Sequence, residues 1–371
     1  MANLVAIINP VSGAADAPSF FAAHVRPLLA DVTVVHTTDA GHAPRVLRDI
    51  QPPPTVVLCS GDGTLHEIIT ALAPAALSFV LVPCGTANAL YASLFPPAPG
   101  QDDVEYKLQS VRAFLRGAPP IHLSLAATTI AGQVALSSVV ASTSLHASIL
   151  HHSEALRKTH PGIERFKIAA EQNSTKWYRA RAKLLPAPSS ANVQIYDPQS
   201  NAFVPHPGST NDDPTVTLDG PFVYFLSTVN VDRLEPQFRI SPLARRIPPP
   251  PSTCDIVVLR PLRDPAVKED TPEARSAYVA KIWKVLGGAY QDGAHVRFTY
   301  NTDGKIVDDA KGLPVIEYFR CGGWEWYPHD QDEDAHLVCA DGTIFEIPKN
   351  DHAVCSIDPV PHAFSVYGNN N

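Results

Sequence analysis

No CxxC pair occurs anywhere in this sequence. The six cysteines, Cys59, Cys84, Cys254, Cys321, Cys339 and Cys355, are scattered, which argues against a structural metal site and reads as reduced cytosolic thiols. No apolar run reaches the ~18 residues that a membrane-spanning helix needs, so contact with lipid is expected to be transient and peripheral. Basic charge is in deficit. With 29 Lys and Arg against 37 Asp and Glu the net charge is -8, which argues against nucleic-acid binding and leaves room for a local basic pocket. The amino terminus, MANLVAIINP, lacks the basic start and longer apolar stretch of a signal peptide and reads as a first strand. Internal repeats are absent, and oligomeric state is not written in the sequence. A cytoplasmic, peripherally membrane-associated protein is expected.

What is present is a globular composition, 45% hydrophobic, with 36 prolines, twice the usual ~5% share. At 371 residues the chain exceeds one ordinary domain of ~100–200 residues. The pattern divides near residue 120. Before it, strands and helices alternate: strand Leu4 to Ile8, helix Ala17 to Leu29, strand Val32 to Thr37, helix His42 to Asp49, strand Thr55 to Cys59, helix from Thr64, strand Phe79 to Val82, helix Asn88 to Ser93. That rhythm predicts an α/β domain, residues 1–120, with a doubly wound parallel sheet. After Pro120 come strand-like segments such as Ile121 to Thr129, Val134 to Ser142, Phe222 to Ser227 and Asp255 to Leu259, punctuated by Pro, Gly, Asn and Asp. Residues 121–371 are expected to form a mainly antiparallel β-sandwich. One helix interrupts it, capped by Thr271-Pro272 and ended by Gly287-Gly288; another begins near Ser153. The acidic stretch 329–334, HDQDED, reads as a solvated loop.

The stretch TVVLCSGDGTLHEII, Thr55 to Ile69, places a carboxylate, Asp62, between two glycines where a buried strand meets a helix. Gly61 and Gly63 let backbone N–H groups approach a ligand, and the helix points its positive end into the same space. Open parallel sheets bind ligands at the carboxyl ends of their strands. Four such loops follow four strands in order: INPVSGAAD, TTDAGHA, SGDGT and VPCGTANAL. Phosphoryl transfer needs positioning, charge neutralisation and one carboxylate to accept or orient a proton.

Together these loops resemble the catalytic domain of the diacylglycerol kinase and sphingosine kinase superfamily, whose pattern runs NPxSGxG, GGDGTxxE, PxGTGNxLA. The resemblance covers residues 3–95 well and continues thinly through SEALRK, ERF, ISPLA and CADG. It implies an ATP- and Mg²⁺-dependent lipid kinase, with a nucleotide-binding domain, a β-rich lipid-binding domain and a site in the cleft between them. By the resemblance Asp62 is the base that takes the proton from a long-chain lipid hydroxyl. Asn9, Pro10, Thr37, Gly61, Gly63, Thr64, Gly85, Thr86 and Asn88 line the nucleotide. Arg157 and Arg165 match phosphate-clamping arginines, whose planar forks suit phosphate, although their spacing is two residues longer here. Asp341-Gly342 matches a late turn that returns to nucleotide and metal; Asp303-Gly304 is a rival that reads as an ordinary hairpin. Ser60, Leu150 and Glu154 fall on the substrate side.

Departures are informative. Ala15, Ser60 and Ala87 stand where the family has glycine, at a cost of about 1 kcal/mol each if those sites need positive φ. The ADVDxxSE segment of sphingosine kinases is ASILHHSE here. Leu150 therefore replaces the aspartate that reads a sphingoid head group, a similarity to ceramide kinases. Which lipid is taken, among sphingoid bases, ceramide and diacylglycerol, stays open. Two other classes remain: a catalytically weak paralogue acting as a lipid- or nucleotide-binding regulator, and an NAD kinase, which shares only the GDGT turn.

Overall fold

The computed structural model describes residues 3–160, 162, 164–357 and 364–369. The chain forms two compact units, one of residues 3–125 with Arg233–Pro236 and the carboxyl-terminal segment, the other of Ala126–Asp232 and residues 237–357.

In the first unit, β1 (Leu4–Ile8), β2 (Val32–His36), β3 (Thr55–Ser60) and β4 (Leu77–Pro83) alternate with α1 (Ala17–Phe20), α2 (His42–Arg48), α3 (Asp62–Leu72) and α4 (Ala89–Leu94); α5 (Asp103–Lys107), α6 (Gln109–Leu115) and β5 (Ile121–His122) follow. The four strands are parallel in the order β2-β1-β3-β4. All of β1 is buried, as is nearly all of β3 and β4, as expected of strands covered on both faces. Leu4, Ala6 and Ile8 meet Val57, Cys59, Val80 and Val82 under Phe20, Phe21 and Val25. The expected helix Ala17 to Leu29 is not continuous. After α1 it passes through a π turn, Phe21–Val25, and a 3₁₀ turn containing Pro27, because proline cannot donate to the preceding turn.

The last strand, Phe364–Val366, pairs parallel with β4 and antiparallel with β5, so the sequence division that assigned everything after residue 120 to one domain differs from the observed topology. The expected single strand Ile121 to Thr129 is correspondingly two: β5 in this sheet and Ala126–Ile130 in another.

Among the described residues the second unit holds two large antiparallel sheets and a small three-stranded one of Thr299–Tyr300, Ile306–Val307 and Leu313–Pro314. One, of eight strands, is centred on Glu317–Cys321, Cys254–Leu259 and Tyr224–Thr228; the other, of six, includes Ala180–Leu185, Gly323–Pro328 and Ala353–Ile357. Their inner faces share a core in which Phe225 contacts both Trp324 and Trp326, with ring centroids 5.4 and 5.1 Å apart. Each indole N–H is satisfied, Trp324 by Ser227 Oγ at 2.9 Å and Trp326 by the Ala335 carbonyl at 2.8 Å, as buried tryptophan requires. Its helices are α7 (Ser144–Leu156), α8 (Glu164–Asn173), α9 (Leu243–Arg246) and α10 (Pro272–Tyr290). α10 begins at the expected Thr271 cap but is not ended by Gly287-Gly288. A Cβ on Gly288 would lie 2.8 Å from both His295 N and Phe298 Cε2, so that glycine serves a close approach. In the acidic stretch, Asp332 caps a 3₁₀ turn through Ala335 N and Asp334 pairs with Lys176 and His152.

Candidate functional site

The loops after β1, β3 and β4 meet backbone to backbone. A Cβ on Gly85 would stand 2.4 Å from Gly61 Cα, and one on Gly13 would stand 2.4 Å from the Cys84 carbonyl oxygen. No side chain fits at either contact, which is why glycine occurs in all three turns. Gly63 differs: nothing lies within 4 Å of a Cβ built there, so it faces open space.

Asp62 is the first residue of α3 rather than part of the turn before it, and Gly61 is the N-cap without a side-chain cap. The carboxylate reaches across to the amino end of α4, accepting hydrogen bonds from Ala89 N at 2.7 Å and Leu90 N at 3.2 Å. Two amide donors converging on one carboxylate hold it as an oriented acceptor. Asn88 sets up this geometry: it sits at φ 54, which asparagine tolerates, and its side chain accepts from Gly85 N at 2.9 Å and donates to Gly85 O at 2.8 Å. Thr86 is exposed beside it.

Asn9, at the end of β1, accepts from Val11 N at 3.1 Å and donates to Thr64 Oγ1 at 3.2 Å; Pro10 forms the turn. Thr64 and Ser60 share a 2.7 Å hydroxyl contact, and Ser60 Oγ lies 3.5 Å from Ser12 Oγ. Thr37 is anchored through its own N–H to Ile8 O at 2.9 Å. Glu67, one turn beyond Thr64, accepts from Gly41 N at 3.0 Å and so ties α3 to the second loop. The sequence marks Ser12 only as the serine of NPxSG; its hydroxyl contact was not foreseen.

Of the three glycine replacements, only Ala15 has positive φ, at 61. Ser60 ends a strand and is buried, with its hydroxyl employed. Ala87 has no left-handed backbone; Asn88 carries that burden instead.

In the second unit the structure brings Arg157, Arg165 and Glu154 together. Glu154 Oε1 lies 2.6 Å from Arg157 Nη2 and 3.9 Å from Arg165 Nη2. Arg165 stacks over Phe166 at 4.6 Å, and its Nε is buried without a hydrogen-bond partner. Desolvation, then the neighbouring Arg157, lowers its pKa. An additional anion would relieve both effects. Leu150 packs with Ala147, Leu337, Cys339 and Ile344, so its surroundings are apolar.

Asp341 is placed differently from the expectation of a nucleotide and metal ligand. Its oxygens accept from Ser138 N at 2.6 Å, Ser138 Oγ at 3.1 Å, Val139 N at 3.0 Å and Val140 N at 2.8 Å. The carboxylate thus closes the 138–140 turn, and its lone pairs are occupied. Asp303-Gly304 lies in the turn between strands Thr299–Tyr300 and Ile306–Val307, an ordinary hairpin. Among the described residues no group of three or more His, Cys, Asp or Glu side chains converges as a metal centre.

A parallel sheet whose glycine turns close around the amino end of an uncapped helix is the class of α/β fold that holds phosphate at its strand ends. Residues 3–116 match the diacylglycerol kinase catalytic domain. It is 33% identical over 105 residues to sphingoid long chain base kinase 5 of Saccharomyces cerevisiae, an alignment spanning 24% of this chain and 15% of that protein. With mitochondrial acylglycerol kinase of Xenopus laevis it is 28% identical over 121 residues, 30% of this chain and 28% of that one. The crystal structure of a diacylglycerol kinase from Bacillus anthracis strain Sterne matches all of this chain and 97% of its own at TM-score 0.51 and 14% identity. A second structure from that organism matches at TM-score 0.56, 13% identity and 98% of its length. These structures share the fold.

Proposed function

We propose that the protein is an ATP-dependent lipid kinase that phosphorylates a hydroxyl of a long-chain lipid. The observation that carries this reading is the Asp62 carboxylate, fixed by two amides at the meeting point of three glycine turns. Bound ATP, with Mg²⁺, supplies the phosphoryl group and the countercharge. First-turn amides of α3 bind phosphate oxygens. Asp62 accepts the hydroxyl proton as the lipid oxygen bonds to phosphorus and the bond to the departing ADP oxygen breaks. Within the second unit, Arg157 and Arg165 are cationic forks, the orphaned Nε of Arg165 being a donor suited to phosphate. The metal fits less well. Mg²⁺ asks for one or two carboxylates besides phosphate and water, and Asp341, with both oxygens engaged, does not present itself as one.

The lipid head is proposed to be neutral. Leu150 sits in an apolar cluster, and the nearest carboxylate on its helix, Glu154, is already paired with Arg157. Ceramide, diacylglycerol or monoacylglycerol would suit this setting better than a cationic sphingoid base. The competing reading, a catalytically weak regulator, is favoured by Ala15 at φ 61 and by the engaged Asp341. Labelled-phosphate transfer from Mg-ATP to a panel of sphinganine, sphingosine, ceramide, diacylglycerol and monoacylglycerol decides between them. Transfer to a neutral lipid that is lost in Asp62→Asn is the expected result; ATP binding by folded protein without transfer to any lipid would favour the regulator.

A further inference from the structure

α10 has two apolar faces. Tyr278, Ile282, Val285 and Ala289 are buried against the second unit, yet the opposite side shows Ala280, Trp283, Gly287 and Tyr290, at successive spacings of three or four residues. Trp283 is 38% and Tyr290 51% exposed. A Cβ on Gly287 would meet nothing within 4 Å. Tyr290 is braced by Phe238, ring centroids 4.9 Å apart. A surface helix ordinarily turns charge outward; this one presents aromatics of the two kinds that favour the membrane–water boundary.

Local charge selects the occupant. Residues 274–291 contain Arg275, Lys281 and Lys284 and no acid, in a chain of net charge -8. Four acids on adjoining segments are paired, Asp264 with Lys281, Asp270 with Arg275, Asp292 with Arg239 and Asp308 with Arg297, while the exposed Glu269 and Glu273 lie at the opposite, amino-terminal end of α10. Among the described residues Lys284 and Arg246 have no ion-pair partner; Lys284 donates to the Ile306 carbonyl at 2.6 Å, and Arg246 lines a recess of about 220 Å³ at the end of α10 with Arg297, Asp292 and Asp308, the two acids being paired with Arg239 and Arg297. We propose that this face docks on an anionic bilayer, with Trp283 and Tyr290 entering the interfacial layer and Lys284 and Arg246 facing lipid phosphates. This deepens the lipid-kinase reading and rests on it for the reason a bilayer is approached.

The chain carries its own reporter. Its other tryptophans, Trp177, Trp324 and Trp326, are at most 2% exposed, so quenching by brominated acyl chains reads Trp283. With phosphatidylcholine vesicles containing phosphatidylserine, and no nucleotide, the expected result is quenching that is absent from pure phosphatidylcholine vesicles and lost in Trp283→Phe. Co-sedimentation should fall by about tenfold or more in Trp283→Ser/Tyr290→Ser and weaken in Lys284→Glu/Arg246→Glu. The four side chains are exposed, though Tyr290 touches Phe238 and Lys284 the Ile306 carbonyl, so each double variant is compared with the parent at a temperature where its melting curve shows it folded. Sedimentation unaffected by either variant, sedimentation without quenching, or self-association abolished by Trp283→Ser/Tyr290→Ser would overturn the proposal. Because no turnover is read, its failure is separable from that of the kinase reading, which transfer to detergent-dispersed lipid tests alone.

Discussion

Replacing Asp62 by asparagine separates two tasks that the structure gives one carboxylate. Asp62 accepts from the amides of Ala89 and Leu90 at 2.7 and 3.2 Å, and it is the proposed proton acceptor. Asparagine offers one carbonyl oxygen and turns an NH₂ group toward the second amide. Losing a charge-assisted hydrogen bond costs about 1.5–3 kcal/mol, below the 5–15 kcal/mol typical of a folded domain. The fold should survive while the amino end of α4 loosens. In hydrogen exchange the amides of Ala89 and Leu90 should open about 10–100 times more readily, since 1.4 kcal/mol is a factor of ten, and the strands β1, β3 and β4 should keep their protection. Phosphate transfer should fall by at least the ~10²-fold ascribed to a general base. Unchanged turnover would remove Asp62 from proton transfer, and loss of protection throughout the first sheet would refute the claim that its structural role is local.

Gly85→Ala should destabilise the first unit by more than about 2 kcal/mol, because its Cβ would lie 2.4 Å from Gly61 Cα and backbone cannot easily yield; Gly63→Ala, in open space on a helix, should leave stability equal or up to ~1 kcal/mol higher, both read by denaturant titration. Ala15→Gly should stabilise by about 1 kcal/mol by removing a side chain at φ 61, and tighter nucleotide binding would show that the strain reaches the phosphate cradle. His295 makes the second unit acid-sensitive: desolvation lowers its pKa to about 4, so below the unfolded value near 6.5 only the unfolded chain takes up the proton. Stability should therefore fall as pH drops from about 6.5 to 4, by about 3 kcal/mol in all; a flat unfolding profile across that window would contradict the burial argument.

What could be read in the sequence follows the range of the interaction. β1, β3 and β4 were legible because each is a short β-branched run buried on both sides and ended by its own turn residues. The glycines at positions 13, 61 and 85 were legible as a set, although the reason for them, direct contact between three loops, is visible only in three dimensions. Pairing over long separations was not legible. Ile121–His122 joins the first sheet through Phe364–Val366, and no local pattern distinguishes it from the strand that follows. Gly287-Gly288 fits a helix stop equally well as a close approach, and only His295 and Phe298 decide between them.

Asp341 marks the same boundary within the site. An aspartate-glycine turn specifies a backbone shape, here φ 45 at Asp341, but not the direction of the carboxylate, which is set by the three amides and one hydroxyl of residues 138–140. Asp62 lies on the other side of that boundary, since a carboxylate flanked by glycines at a helix start has few routes to neutralisation other than a neighbouring helix end or a ligand. Here the end of α4, 27 residues away, supplies the first. The same contact makes the proposed base rigid, because the proton acceptor and the glycine turn of Gly85 are held by one set of hydrogen bonds. A substitution that frees α4 should therefore lower transfer even with Asp62 intact. Asn88→Ala is that substitution: it deletes both bonds to Gly85, leaves the carboxylate chemically unchanged, and should reduce kcat while costing about 1–3 kcal/mol of stability, from alanine at φ 54 and the lost bonds, less than a folded domain's ~5–15 kcal/mol.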